Sequence, residues 1–160
     1  MIKKTITYTD YNGTTRTEDF YFNLSQIDLL KMTAEGGNLQ KRAAEIQSMA
    51  EALEQRGEVD DALRMDAVMK TVDMIGDLVS LSYGVKSEDG RRFTKNKELT
   101  EAFKESEAYG ELVFSLMNDT GNAFLSFIRG IMPSNVASSI PENMTPEEAK
   151  ARLAALTAQP

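Results

Sequence analysis

The sequence predicts an α+β fold that is mostly helical, in which an N-terminal β-hairpin packs on a bundle of about five helices. A linker and a short C-terminal helix follow. Two observations support this fold: two alternating stretches rich in β-branched and aromatic residues flank an Asn-Gly pair, and apolar residues then recur at helical spacing. The chain has 160 residues, 41% of them hydrophobic, which is enough for one packed domain.

The predicted hairpin covers residues 3–22, with strands at residues 4–9 and 15–22. Asn12 and Gly13 lie between them and predict a type I′ turn, because both residues tolerate positive φ. Alternation places four large apolar residues on one side of the ribbon: Ile6, Tyr8, Phe20 and Phe22. This side needs an apolar cover, which the following helices can supply.

Helices are predicted within residues 26–131, and several begin at a recognisable cap. Ser25 with Asp28 three residues later is typical of a capping box, and Asn96, Ser106 and Thr120 are further cap candidates. The apolar helical series are those of residues 26–35, 39–53, 63–82, 99–103, 109–117 and 123–131. Pro133 must end the last of these helices.

Two segments lack helical periodicity. Residues 84–92 concentrate Gly, Ser, Asp and charge, which predicts a loop with a tight turn at Asp89-Gly90. Residues 134–140 are small and polar, and a cap, a proline and two acids then predict a helix at residues 146–156. We therefore expect one domain at residues 1–133, followed by a flexible linker and C-terminal helix at residues 134–160.

Composition excludes several classes of function. The chain has no Cys and no His, so it cannot build an imidazole or thiolate metal site, a Ser-His-Asp system or a disulfide. Its net charge of −7 argues against binding to nucleic acid, whose phosphates attract clustered Lys and Arg. No apolar run reaches the length of a membrane span, and the N terminus lacks the apolar core of a signal peptide. We expect no enzymatic activity, no cofactor and a cytoplasmic protein.

Acidic pairs are the only candidates for catalysis. They occur as Glu18-Asp19, Asp60-Asp61 and Glu147-Glu148. Acid/base catalysis needs two carboxyl groups in different environments, together with a pocket and an orienting group. Nothing near these pairs supplies a pocket or an orienting group, so we interpret the pairs as solvated surface charge. This interpretation also disfavours a small hydrolase that uses carboxylates alone.

Methionines and one basic segment are the candidates for partner binding. Of the nine methionines, seven lie on or beside apolar stripes: Met32, Met49, Met65, Met69, Met74, Met117 and Met132. They either fill gaps in the core or form an adaptable binding face, and the sequence leaves both readings open. Three cations flank the predicted loop, where they pair locally with Glu88 and Asp89 or contact a phosphate or an acidic partner. The candidate partner-binding residues are therefore Met49, Met65, Met69, Lys86, Arg91 and Arg92.

Four blocks of the sequence match a pattern known from one protein family. They are the opening MIKKTITYTDYNG with RTEDFYFNLS, the block YGVKSEDGRRF at residues 83–93, the spaced residues Asn96, Glu98-Leu99, Phe103, Ala108-Tyr109 and Glu111-Leu112, and FIRGIMP at residues 127–133. On these blocks the chain resembles the tail assembly chaperones of siphophages, the bacteriophages with long non-contractile tails, and of prophages. The resemblance runs from residue 1 to about residue 133, and no motif follows it.

The resemblance implies a non-enzymatic role in the host cytoplasm. Such chaperones bind the long tape measure protein, keep it soluble, help to recruit tail tube subunits and are absent from the virion. In many of these phages a frameshifted longer form carries a domain for the tail tube protein. The alternative is a structural tail protein retained in the virion, of the tail completion or connector type. The sequence leaves open whether the chain forms a homo-oligomer.

The domain boundary predicts a proteolysis pattern. Residues 134–140 are predicted as a linker, so limited proteolysis of the folded chain should cut there first and leave a stable fragment that ends near Pro133. Mass spectrometry of the early fragments measures this. A first cleavage within residues 112–131 would contradict the boundary.

Overall fold

The structure, a computed structural model, describes residues 1–34, 48, 61–118 and 122–134. The strands in this part of the chain are β1 (Ile2–Thr9), β2 (Thr15–Phe22), β3 (Tyr83–Lys86) and β4 (Phe93–Thr94). The helices are α1 (Gln26–Ala34), α2 (Asp61–Ser82), α3 (Lys97–Lys104), α4 (Glu107–Asn118) and α5 (Asn122–Ile131). The predicted fold class, α+β and mostly helical, is confirmed.

β1 and β2 form the predicted antiparallel hairpin, but its turn is of another type. The Gly13 amide donates to the Asp10 carbonyl at 2.8 Å, and Gly13 has a φ of 79°. Among the described residues no side-chain-bearing residue has positive φ, so Asn12 does not adopt the left-handed conformation. The predicted type I′ turn is therefore wrong. The loop is a type I turn followed by a left-handed glycine, which is the usual three-residue hairpin connection.

The Asp10 side chain stabilises this turn. Its carboxylate accepts hydrogen bonds from the amides of Asn12 and Thr14, at 3.0 and 2.9 Å, and from the Arg16 guanidinium at 2.6 Å. The Thr14 amide and then the Arg16 side chain hold the pKa of the Asp10 carboxyl below its usual value. An acid at the first position of the turn thus satisfies the amides that the type I geometry leaves free.

The hairpin has one apolar and one polar face, as alternation predicts. Ile6 and Phe22 are buried beneath the helices, and Tyr8 and Phe20 pack against the same core. The opposite face is rich in threonine and exposed; the hydroxyls of Thr7 and its partner Thr17, for example, lie 2.9 Å apart. This polar outer face leaves one side of the sheet in contact with solvent.

α1 begins with the predicted capping box. The Ser25 amide donates to Asp28 Oδ2 at 2.8 Å, and the Asp28 amide donates to Ser25 Oγ at 3.1 Å. Leu24, immediately before the cap, is buried, and Leu29 packs against the core from the second turn. The start of α1 is therefore held by both reciprocal hydrogen bonds and apolar contact.

The predicted loop at residues 84–92 is instead a second hairpin. β3 pairs with β2, where Tyr21 lies opposite Gly84, and β4 pairs with β3, giving a four-stranded sheet in the order β1-β2-β3-β4. The sequence pattern does not reveal these strands, because β4 has only two residues and because β3 pairs with a strand, β2, that is distant in sequence. The tight turn is confirmed: the Gly90 amide donates to the Ser87 carbonyl at 2.9 Å, and Gly90 has a φ of 70°.

α3, α4 and α5 follow the predicted apolar spacing. Asn96 caps α3, its side chain accepting a hydrogen bond from the Leu99 amide at 2.8 Å. Ser106 precedes α4 as predicted, but its hydroxyl donates to the Phe103 carbonyl at the end of α3, at 2.6 Å. The connection between the two helices is thereby tightened. α5 ends at Ile131, two residues before Pro133.

An aromatic cluster joins the sheet to the helices. It consists of Phe22, Tyr83, Phe103 and Phe127. The rings of Tyr83 and Phe103 stack with their centres 4.3 Å apart, and Phe127 meets Phe22 edge-on at 5.3 Å. These residues come from β2, β3, α3 and α5, so one cluster connects four elements.

Three predicted segments lie outside the described residues. They are the helix at residues 39–53, of which only residue 48 is described, the linker beyond Ser134 and the helix at residues 146–156. The cap predicted at Thr120 lies there as well.

The turn geometry predicts the effect of a substitution at Gly13. Valine at a φ of 79° places a β-branched side chain in the left-handed region, so Gly13→Val should lower the free energy of unfolding by about 1–2 kcal/mol. Gly110→Ala is the matched control, because a Cβ at this helical position meets no atom within 4 Å. It should raise stability by about 0.5–1 kcal/mol. Urea denaturation measures both, and an unchanged midpoint for Gly13→Val would contradict the turn assignment.

Candidate partner-binding surface

α2 divides into a buried half and an exposed half. Its C-terminal half contributes Ile75, Leu78 and Val79 to the core, and the buried Ser82 hydroxyl donates to the Leu78 carbonyl at 2.7 Å. The helix has 22 residues and so extends about 33 Å. Its first ten residues hold no fully buried side chain. Half of α2 therefore anchors the helix, and the other half presents side chains to solvent.

Three apolar residues in the exposed half form what we call the methionine face: Met65, Val68 and Met69. Their side chains are 62%, 41% and 52% exposed. Spacings of three and four residues place them on one side of the helix, in line with Val72, which packs against the core. The apolar stripe of α2 thus runs without interruption from the core onto an open surface.

The structure places the methionines in two different environments. Met74 and Met132 are buried, and Met32 and Met117 pack partly buried against the core, so these four fill space as core methionines do. Met65 and Met69 are exposed. Met49 lies outside the described residues. The core reading therefore holds for these four methionines, and the binding-face reading stays a prediction for Met65 and Met69.

α1 carries a second exposed apolar pair that sequence reasoning missed. Ile27 and Leu30 are exposed, whereas Leu29 and Met32 on the other side of the helix pack against the core. Nine residues of α1 hold more large apolar side chains than one helix face can bury. That excess was visible in the sequence and could have identified the pair.

An ion pair fixes α1 against the rest of the fold. Lys95 Nζ donates to Asp28 Oδ2 at 2.7 Å and to the Leu81 carbonyl at 3.2 Å. Burial raises the pKa of the Asp28 carboxyl, but hydrogen bonds from Lys95 and Ser25 lower it by more, so the pKa lies below its usual value. The same carboxylate thus caps α1 and ties it to the end of α2.

The three predicted cations lie on the β3–β4 hairpin. This hairpin follows the C-terminal end of α2, whereas the methionine face lies in the N-terminal half of that helix. Lys86 Nζ is 5.7 Å from the centre of the Tyr21 ring, and Arg91 Nε is 3.9 Å from Asp89 Oδ2. Arg92 is exposed, and its amide donates to Ser87 Oγ at 3.0 Å. Arg91 therefore pairs locally with Asp89, but the distance between the charged groups is long, and the Arg91 guanidinium remains exposed to solvent. The structure does not bring these cations together with the methionines.

The Glu18-Asp19 pair has no shared site. Glu18 accepts a hydrogen bond from the Tyr8 hydroxyl at 2.6 Å, on the helix side of the sheet. Asp19 accepts from Lys3 and Thr5 on the outer side, and the Lys3 hydrogen bond lowers the pKa of its carboxyl. Consecutive strand residues point to opposite faces, so the two carboxylates cannot act on one substrate. The other two acidic pairs fall wholly or partly outside the described residues.

The described residues contain neither a cluster of metal-binding side chains nor a helix that could span a membrane. No three acidic side chains in this part of the chain are grouped so that they could hold a metal ion. None of the described helices is both long enough and apolar enough to cross a bilayer.

A family model described as phage tail assembly chaperone matches residues 1–159. The chain belongs to the phage tail assembly chaperone family. The match extends past residue 133, into the segment where the sequence shows no motif. Searches of curated proteins and of solved structures returned no significant match.

Membership of the family assigns the chain a role in tail assembly. A surface that binds other proteins would serve this role. In this chaperone the methionine face, the Ile27 and Leu30 pair and the cationic hairpin are candidates for such contact. The methionine face is the one that combines apolar character with continuity into the core.

The Asp28 anchor predicts a pH-dependent loss of stability. The folded pKa of Asp28 is lowered from 3.8, so its carboxylate stabilises the fold fully above that pH. This contribution is lost as the pH falls through the folded pKa. Asp28→Asn should therefore lower stability by about 1 kcal/mol at neutral pH, and the difference from the unsubstituted chain should vanish in acid.

Thermal melts between neutral pH and strongly acidic pH measure this difference. Glu101→Gln is the control, because Glu101 forms only an exposed 3.7 Å pair with Lys104. It should change stability little at any pH. An Asp28→Asn deficit that persists below the folded pKa would contradict the ionic anchor.

Proposed function

We propose that this tail assembly chaperone binds the tape measure protein in the host cytoplasm, keeps it soluble and helps to recruit tail tube subunits, without enzymatic activity. Membership of the family supports the general role. The observation that carries the finer proposal is the exposure of Met65, Val68 and Met69 on one face of α2.

The methionine face suits an amphipathic helix as its target. Methionine side chains are unbranched and polarizable, so they can repack around apolar residues of different shapes. A long helical protein offers such residues at i, i+3, i+4 and i+7 along its length. Burial of apolar area would supply most of the affinity, and the flexibility of the thioethers would allow several segments of one target to bind.

Charge around the face favours a basic target. Exposed Asp66 and Asp73 flank the methionines on α2, and Lys70 Nζ lies 3.3 Å from Asp66 Oδ2. The chain as a whole carries a net charge of −7. Complementary charge increases the rate of association and disfavours acidic competitors.

The cationic hairpin is proposed as a separate contact with an acidic surface of a partner. Lys86 is exposed at the end of β3, and Arg91 and Arg92 are exposed in the loop that leads to β4. Arg91 and Arg92 each carry a guanidinium fork that can bind a carboxylate in bidentate fashion. Candidates for this partner are the tail tube protein and, where one is made, a frameshifted longer form of the chain.

An assembly factor should be absent from the finished particle. Mass spectrometry of purified virions therefore distinguishes this proposal from a structural tail protein of the completion or connector type, which would be present at fixed copy number.

Co-expression with the tape measure protein tests the binding face. The tape measure protein should be insoluble alone and soluble with the chaperone, and Met69→Glu should abolish this rescue because it places a charge in the apolar contact. Phe114→Glu is the matched control: Phe114 is 65% exposed on α4 and is not part of the methionine face, so the same change in chemistry should leave rescue intact.

Thermal melts of both variants exclude an indirect effect. Met69 is half exposed, so Met69→Glu should melt within a few degrees of the unsubstituted chain. Rescue by Met69→Glu at the unsubstituted level, or loss of folding in that variant, would refute the methionine face as the binding surface.

A further inference from the structure

We propose that residues 146–156 of this chain dock as a helix on the exposed side of α1. This side is formed by Ile27, Leu30 and Lys31, whose spacing of three and four residues places them together. Ile27 and Leu30 are 63% and 69% exposed, and Lys31 is exposed as well. We call these three residues the α1 face. The contact lies within one chain and is independent of the tape measure protein.

The described part of the chain ends beside the α1 face. The Leu24 amide donates to the Ile131 carbonyl at 2.7 Å, so α5 ends against the start of α1. Met132 is buried, and Ser134, the last described residue, is exposed. Ile27 lies only three residues beyond Leu24. The remaining residues therefore leave the fold close to the α1 face.

The connection is long enough to reach all of α1. Residues 135–145 join the exit point to residues 146–156, and these 11 residues span about 36 Å when extended and about 16 Å when helical. The nine residues of α1 extend about 13.5 Å. A tether this short holds the segment at about millimolar local concentration, which is sufficient for a small apolar contact.

The segment has an apolar side that fits the α1 face. Ala149, Leu153 and Leu156 lie on one side of the predicted helix, at spacings of four and three residues. So narrow a stripe can be covered by the two apolar side chains of one helix face. The family model matches residues 1–159 and so includes this segment. Residues 146–156 are therefore part of the sequence that defines the family.

Charge favours an antiparallel arrangement of the two helices. Lys31 lies in the last turn of α1, and Glu147 and Glu148 lie in the first turn of the predicted helix. Antiparallel packing brings these two turns together, so the lysine meets the acidic pair and the helix dipoles oppose each other. Parallel packing with the two starts level would instead bring Lys31 beside Lys150 and Arg152, and like charges repel.

A spin label on the full chain tests this contact. The chain has no cysteine, so Ala151→Cys provides a single attachment point, on the side of the predicted helix opposite the stripe. The amide NMR signals of Ile27, Leu30 and Lys31 should be lost through paramagnetic broadening. The Gly13 signal should remain, because the eight residues of β2 place it about 25 Å from the start of α1.

A matched pair of substitutions separates docking from simple tethering. Leu153→Glu places a charge in the apolar stripe, so the signals of the α1 face should return although the label is still attached nearby. Ala155→Glu makes the same change in charge on the opposite side of the predicted helix, and it should leave these signals broadened.

Three results overturn the proposal. The first is an α1 face whose signals do not broaden, which is expected if residues 35–60 or another protein cover it. The second is equal broadening in the Leu153→Glu and Ala155→Glu chains, which indicates tethering alone. The third is broadening in an isotope-labelled chain without a spin label when it is mixed with spin-labelled chains, which indicates docking between copies.

Discussion

The fold depends on the packing of Phe22 against Phe103. Phe22 ends β2 and is fully buried, and its ring centre lies 5.9 Å from that of Phe103 in α3. Tyr83 stacks on Phe103 from β3, and Phe127 reaches Phe22 from α5. Because the four rings come from four elements that are distant in sequence, none of these elements can bury its apolar side without the others. The cluster therefore couples the sheet to the helical layer.

Within the described residues, this coupling supports only part of the length of α2. Its C-terminal half packs against α4 and continues directly into β3, where the helix is held by Ile75, Leu78 and Val79. The N-terminal half has no such contact in the described residues and retains exposed methionines. The proposed binding surface has to be apolar without destabilising the fold. Extending a well-anchored helix beyond its core meets both requirements, because the anchored half supplies the stability.

The two hairpins show how local side-chain chemistry stabilises the sheet. In each turn a Gly with positive φ donates its amide to the carbonyl three residues earlier, at Asp10 in the first turn and at Ser87 in the second. An acidic side chain then accepts from nearby amides: Asp10 in one turn and Asp89 in the other. The turns therefore satisfy many of their own polar groups with residues of the turn itself.

Features that depend on neighbours along the chain can be derived from the amino-acid sequence. The Ser25 and Asp28 capping box, the Asn96 cap, the left-handed glycines and the apolar face of the first hairpin follow from residues at most a few positions apart. The family resemblance also rests on local blocks. The two strands within residues 83–94 cannot be derived in this way, because β3 forms through its pairing with β2, some 60 residues earlier. Nor does the sequence show that Met74 is buried while Met69 is exposed. Periodicity shows which residues share a helix face, but burial requires another element to cover that face, and the position of that element is set by contacts between distant parts of the chain.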